Sequence, residues 1–150
     1  MNMQISQLNK SFSKEVVNLI RVSDKDFSWS DKQVIDSLTD DMVFGLINDN
    51  QELLAVAIFS KIFETVELLY ICVLASNQKK GLGYQILQKS LNEFSKKSEV
   101  ENIFLEVDVN NQSAIKLYNK LNFREISKRK NYYKKANGKY SDALIYQLKI

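Results

Sequence analysis

Apolar residues recur along this chain with two periods, and each change of period marks a new element. Gln4 to Leu8 suits a short strand, and Ser13 to Val22 then sets Val16, Val17, Leu19 and Ile20 on one stripe of a helix. Ser30 opens a second helix, since Gln33 three residues later completes a Ser-x-x-Gln capping box; the loop DKDFSW separates the two. From Met42 to Leu74 the period shortens to that of strands. VFGLI, LLAVAIFSKI and TVELLYICVL are divided by turns at Asn48 to Gln51 and near Phe63-Glu64, which predicts an antiparallel meander.

The second half alternates between the two periods. A helix expected after Gly83 carries Ile86, Leu87, Leu91 and Phe94 on one face, leaving Lys89, Lys96 and Lys97 for water. The strand IFLEV follows, and a strand-helix-strand crossover makes it parallel to the strand before the helix. The next helix is capped by Asn111 or Ser113 and ends at Asn122, a residue type that tolerates the left-handed cap. Two strands, Phe123 to Tyr133 and Ser141 to Lys149, flank a turn containing Asn137-Gly138. The expected fold is a single α/β domain over residues 1–150, with a mixed, mostly antiparallel sheet of about seven strands and about four helices.

Composition removes several kinds of chemistry. With 150 residues and 45% hydrophobic content the chain can bury a core in one domain. No apolar run reaches the roughly 18 residues of a membrane span, and MNMQISQLNK has no signal-peptide core, so a cytoplasmic location without a membrane partner is expected. A single cysteine forbids an internal disulfide. The absence of histidine argues against a zinc site and against Ser-His or Cys-His nucleophiles, so no metal is expected and chemistry falls to carboxylates, Tyr and Lys.

The net charge of +3 is unevenly spread: Asp24 to Asp41 holds six Asp against two Lys, whereas Arg124 to Lys139 holds seven Lys/Arg against one Glu. Such fields could steer a basic peptide to one region and an anionic cofactor or RNA to the other, although solvated surface elements would show the same pattern. Stable nucleic-acid binding is not expected.

Candidate chemistry concentrates between Leu68 and Phe123. A strand running into QKKGLG at a helix start is a place for a phosphorylated ligand, because backbone N–H groups from Lys79 to Tyr84 face it at the positive end of the helix. Gly81 and Gly83 take away side chains that would obstruct it, and Lys79 and Lys80 add positive charge. Glu106, in an apolar strand context that suits a base, and Tyr118, a phenol on the Ala114-Leu117-Tyr118-Leu121 stripe, are placed to reach such a ligand. Each has a structural alternative: a surface strand carboxylate and a core tyrosine.

These segments resemble the GNAT N-acetyltransferases, whose Gln/Arg-x-x-Gly-x-Gly/Ala motif is matched by Gln78, Gly81 and Gly83. FSWS (Phe27 to Ser30), LEV followed by Asn111, AIKLYNKLNF (Ala114 to Phe123) and RKNYY (Arg129 to Tyr133) are similar to the bacterial ribosomal-protein-alanine N-acetyltransferases, over nearly the whole chain. Two departures stand out: Ala75-Ser76-Asn77 lacks the usual proline, and Asn122 replaces the glycine of LGF.

The resemblance implies direct acetyl transfer from acetyl-CoA to the N-terminal amine of a ribosomal protein beginning with alanine. It makes Glu106 the general base, acting through water, and Tyr118 the general acid. It gives coenzyme contacts to Ile71, Cys72 and Val73 through backbone groups, to Lys79, Lys80, Gly81, Leu82, Gly83 and Tyr84 around the pyrophosphate, and to Asn111, which can equally serve as a helix cap. Phe27, Trp29, Tyr132 and Tyr133 flank the expected acceptor groove, unless they are core aromatics. Three alternatives stay open here. One is a GNAT enzyme acting on a small-molecule amine or a lysine side chain, and another is a catalytically silent coenzyme-A-binding module. The third is a dinucleotide-binding oxidoreductase, suggested by GLGYQI with Glu101 twenty residues after Gly81.

Overall fold

The computed structural model describes residues 2–97 and 99–150. Strand β1 (Gln4–Gln7) leads through a short 3-10 turn into helices α1 (Ser13–Ser23) and α2 (Asp31–Asp40), then strands β2 (Met42–Ile47), β3 (Leu53–Ile62) and β4 (Thr65–Val73). Helix α3 (Leu82–Ser95), strand β5 (Asn102–Asp108), helix α4 (Gln112–Lys120) and the hairpin β6 (Arg124–Lys134) and β7 (Tyr140–Lys149) complete the chain. The predicted capping box forms: Gln33 N–H donates to Ser30 Oγ at 3.1 Å, and Ser30 N–H donates to Gln33 Oε1 at 2.8 Å.

Among the described residues all seven strands join one sheet in the order β1-β2-β3-β4-β5-β7-β6, and only the β4–β5 pair is parallel. The expected fold class is the observed one. Two boundaries move. Helix α3 starts at Leu82, one turn-residue earlier than Gly83, because Gly81 takes the N-cap position with φ of 79°. Helix α4 stops at Lys120, and Asn122 adopts the left-handed φ of 70° two residues later.

Helices cover both faces of the sheet. On one face α3 and α4 pack Leu82, Ile86, Leu87, Phe94, Tyr118 and Leu121 against strand residues such as Phe59, Leu68, Leu105 and Tyr146. Phe59 and Phe94 meet edge to face at 5.0 Å, and such a pair adds about 0.5–1.5 kcal/mol to its area burial. On the other face α1 and α2 bury Val16, Ile20, Val34 and Leu38 against Val43, Val56, Ile58 and Cys72. The α1–α2 layer covers β2 to β4, which leaves Phe104, Glu106 and Ile145 on that face only half-buried.

Strand β4 changes character at Leu69. Ile58 pairs with Tyr70 and Phe59 with Leu68, so Leu69 is an extra residue that bulges from the ladder and reverses the side-chain alternation. Val66 and Leu68 face α3, whereas beyond the bulge Tyr70 and Cys72 face α1 and α2. The parallel ladder ends at the same point: Leu68–Leu105 is its last pair, although β4 runs on to Val73 and β5 to Asp108. The two strands therefore part.

The far end of β5 is fastened instead to the β6–β7 hairpin. Asp108 Oδ2 accepts from Ser141 Oγ at 2.9 Å and from Lys135 Nζ, and Asp108 Oδ1 accepts from Asn110 N–H at 2.9 Å. Burial alone would raise the Asp108 carboxyl, but these donors outweigh it and hold the group below its ordinary value. A depressed folded-state pKa contributes stability above the unfolded value of about 3.9 and loses it as pH falls further. Asp108→Asn should cost about 1–3 kcal/mol at pH 7, the usual worth of hydrogen bonds to a charged group. Urea midpoints at pH 7 and pH 3 check this: the difference from wild type should be full at the first and smaller at the second.

Candidate active site

The parting of β4 and β5 opens a cleft of about 510 Å³ lined from four elements: the end of β4, the turn at Gln78–Leu82, the first turns of α4 and the C-terminal end of α1. Ile71, Cys72 and Val73 line it together with Lys79, Gly81, Leu82, Gly83, Asn111 and Tyr118. Lys80 and Tyr84 do not. The half-buried Tyr84 ring packs against the core beneath Lys120 Nζ, 4.5 Å from the ring centre, which leaves its backbone N–H as the group at the helix start.

The local sequence builds an anion cradle at the start of α3. No side chain caps this helix and no acidic residue occupies its first turn, in contrast to the fully boxed α2, so the first N–H groups are left for an incoming anion. The two glycines differ in what surrounds them. A Cβ on Gly81 would touch nothing within 4 Å; this glycine is required by its φ of 79°. A Cβ on Gly83 would lie 3.7 Å from Leu117 and 4.0 Å from Val73, on the floor of the cleft. Gln78 Nε2 donates to the Val73 carbonyl at 3.0 Å and ties the turn to the strand end. Asn111, rather than Ser113, caps α4, accepting from Ala114 N–H at 3.3 Å.

Tyr118 is 6% exposed on the α3–α4 face of the sheet, and burial first, then the neighbouring Tyr133 phenol, pushes it up to about 12. It keeps its proton at any ordinary pH. Glu106 lies on the opposite face, since Leu105 and Val107 point into the α3–α4 core and Glu106 alternates away from it. Its surroundings differ from the apolar context expected of the strand: Oε1 pairs with Arg129 at 3.2 Å, and the side chain is 23% exposed. Tyr133 links the two groups electrostatically, being itself raised to about 12 by burial first and then by Glu106. Base and acid candidates thus flank the strand gap from two sides.

The four aromatic acceptor candidates divide into two groups. Phe27 packs at 4.4 Å on Tyr70, a cleft residue, and at 5.4 Å on Trp29, both belonging to the α1–α2 layer. Trp29 itself does not line the cleft. Tyr132 and Tyr133 meet at 5.0 Å in a bulge of β6 where Asn131 adopts φ of 53°, with Arg129 over the Tyr132 ring.

The structure adds residues that sequence patterning passed over: Ser23 and Asp24 at the end of α1, Tyr70 on β4, and Arg129. Ala75 N–H donates to Ser23 Oγ at 2.9 Å, and Tyr70 OH donates to Asp24 Oδ2 at 2.6 Å. Burial first, then this bond, raises the Tyr70 phenol, and burial likewise pushes the Cys72 thiol up, which leaves it a poor nucleophile. Among the described residues no group of three or more Cys, Asp or Glu side chains is arranged to hold a metal, and no helix is long and apolar enough to cross a membrane.

An uncapped helix start beside a left-handed glycine, a strand edge free beyond its ladder and a protonated buried phenol suit a ligand with a pyrophosphate, an extended arm and a leaving group. The dinucleotide alternative fails on topology, since an antiparallel meander precedes the glycines where a parallel βαβ unit would be needed. Residues 9–123 match the acetyltransferase (GNAT) family. The chain is 32% identical over 124 residues to the ribosomal protein bS18-alanine N-acetyltransferase of Escherichia coli strain K12, covering 83% of this chain and 82% of that enzyme. The crystal structure of the Escherichia coli ribosomal-protein-S18-alanine N-acetyltransferase superposes with a TM-score of 0.89 at 29% identity, over 99% of this chain and 94% of the other. Arabidopsis thaliana NAA60 in complex with acetyl-CoA shares the fold at 15% identity, with a TM-score of 0.83 over 99% of each chain. The chain belongs to the GNAT family of acetyl-CoA-dependent N-acetyltransferases.

Proposed function

We propose that this enzyme acetylates the N-terminal α-amine of a protein, a ribosomal protein beginning with alanine, in the cytoplasm. The observation that carries the reading is the 32% identity to the Escherichia coli enzyme over more than four fifths of both chains. Physical chemistry agrees with it. A free α-amine has a pKa of about 7.7–8.0 against about 10.4 for lysine, so one carboxylate acting through water suffices to neutralise it.

The chain's own groups divide the work. The α3 N-terminus and Lys79 hold the pyrophosphate of acetyl-CoA, and Gly83 keeps the cleft floor low enough for the arm that follows. The edge of β4 from Ile71 to Val73 aligns that arm by strand-like pairing. Glu106, through water, takes the excess proton of the ammonium form, and when the neutral nitrogen bonds to the acetyl carbon and the carbon–sulfur bond breaks, the second N–H proton passes to solvent and on to the departing thiolate. Tyr118 donates its O–H toward the sulfur as negative charge gathers there. A phenol at about 12 is a weaker acid than a free thiol and gives up its proton reluctantly to the departing thiolate, so Tyr118 acts chiefly as a hydrogen-bond donor.

Three measurements test these assignments. Replacing Gly83 with Leu should fill the floor beside Leu117 and Val73 and weaken acetyl-CoA affinity at least tenfold by calorimetry, with the circular dichroism spectrum unchanged; undiminished affinity would remove the glycine from the cradle. Tyr118→Phe should keep acetyl-CoA affinity while single-turnover transfer slows on the order of 10²–10³, the usual cost of one transition-state donor. A rate within a few-fold of wild type would make Tyr118 a core residue only.

Glu106→Gln tests base and acceptor together. Its loss in kcat/KM should be greatest near neutral pH and should shrink above about pH 8, where a free α-amine is already neutral. The profiles should be measured on an alanine-starting peptide and on the same peptide with a blocked N-terminus and free lysines. Activity on the blocked peptide would transfer the reading to lysine, and superimposable profiles of variant and wild type would take Glu106 out of the mechanism.

A further inference from the structure

Asp24 stands in the same cleft as Tyr118, on the side of the sheet covered by α1, and it is a carboxylate without a cation. Its Oδ2 accepts from Tyr70 OH at 2.6 Å and its Oδ1 from Asp26 N–H at 3.2 Å. Among the described residues it enters no ion pair. Arg21 spans Asp31 and the Trp29 carbonyl, Lys25 donates to the Arg21 carbonyl, and Lys79, which lines the same cleft from the turn before α3, pairs with no carboxylate among the described residues and is the cation assigned above to the coenzyme pyrophosphate. The groups that face Asp24 from β4, Tyr70 and Cys72, are both held protonated and so bring no positive charge.

A half-buried carboxylate with neutral donors but no counter-ion leaves its charge available to an incoming cation. Glu106 already has Arg129, and Glu67, beside it across the β4–β5 ladder, shares the field of the same guanidinium and does not line the cleft. Tyr70, fixed beneath the Phe27 ring at 4.4 Å, keeps the Asp24 side chain in place. We infer that Asp24, oriented by Tyr70, receives the protonated α-amine of the acceptor before Glu106 takes its proton, and so selects acceptors with a free cationic N-terminus. The inference rests on the reading of the acceptor as an α-amine. Asp24 binds the cation form, and the bonded neutral amine then passes to the gap between the strands.

The test is calorimetric binding of two peptides to the enzyme in the presence of coenzyme A: an alanine-starting peptide, and the same peptide with its amine replaced by hydrogen. Wild type should prefer the amine form by roughly tenfold to a hundredfold at pH 6.5, the range of one charge-assisted hydrogen bond, and the preference should fade above about pH 8 as the amine loses its proton. Asp24→Asn should bring the ratio near one with coenzyme A affinity unchanged, which also certifies the fold. Asp24→Glu should restore part of it, and Tyr70→Phe should lower it without abolishing it. A preference that survives in Asp24→Asn, or one indifferent to pH, overturns the inference while leaving N-terminal acetylation intact. If acetyl-CoA is bound but wild type transfers nothing to the alanine-starting peptide, the proposed acceptor falls, and the inference falls with it.

Discussion

Everything at this site depends on two strands ceasing to pair. After Leu68–Leu105 the parallel ladder stops, and from there β4 turns one edge of its backbone to an open gap. An unsupported parting would strand polar groups and fray, so both arms are secured elsewhere. Strand β4 stays on β3 as far as Val73, with Leu74 N–H donating to the Leu54 carbonyl at 2.8 Å. Strand β5 stays on β7 to Asp108, whose carboxylate gathers Lys135 and Ser141 from the hairpin. The sides of the wedge are held by the antiparallel ladders of the one sheet, β4 on β3 and β5 on β7.

The bulge at Leu69 gives the wedge its two chemically different sides. Had β4 kept its alternation, Tyr70 and Cys72 would continue the Val66–Leu68 face into the α3–α4 core. One extra residue sends them to the α1 side, where Tyr70 meets Asp24 and Phe27, and turns Ile71 and Val73 toward α3 and α4. Side chains from both faces of β4 thus reach one cleft, Tyr70 from the α1 side and Val73 from the side of α3 and α4. Charge follows the same division, with acidic side chains concentrated at the α1–α2 end and basic ones on the exposed β6 edge.

Much of this was legible in the sequence because the signals are local. The capping box at Ser30, the glycine turn before α3, the left-handed Asn122 and the apolar stripe holding Tyr118 are each written within a few residues. What escaped was set at long range. The Tyr70–Asp24 bond spans 46 residues, and Arg129 reaches Glu106 from a strand that β7 separates from β5. An apolar strand context said nothing of that guanidinium, so the surroundings expected for Glu106 were wrong in kind. The bulge escaped for a different reason: TVELLYICVL is apolar enough on both faces that one slipped residue leaves no mark in its pattern.

The absence of histidine gives the two-sided arrangement its chemical logic. An imidazole can accept and return a proton near neutral pH from one position. A carboxylate and a phenol cannot share such a post, because they are suited to opposite surroundings. Tyr118 holds its proton because it is buried and its pKa stands at about 12. Glu106 sits where a guanidinium and solvent reach it, and the same burial given to it would penalise the charged form a base must adopt. A single-faced pocket could satisfy one of these demands only by compromising the other. The two groups stand on opposite faces of the sheet near the end of the β4–β5 ladder, Tyr118 lining the cleft and Glu106 outside its lining, and each has the dielectric surroundings that the part proposed for it would require.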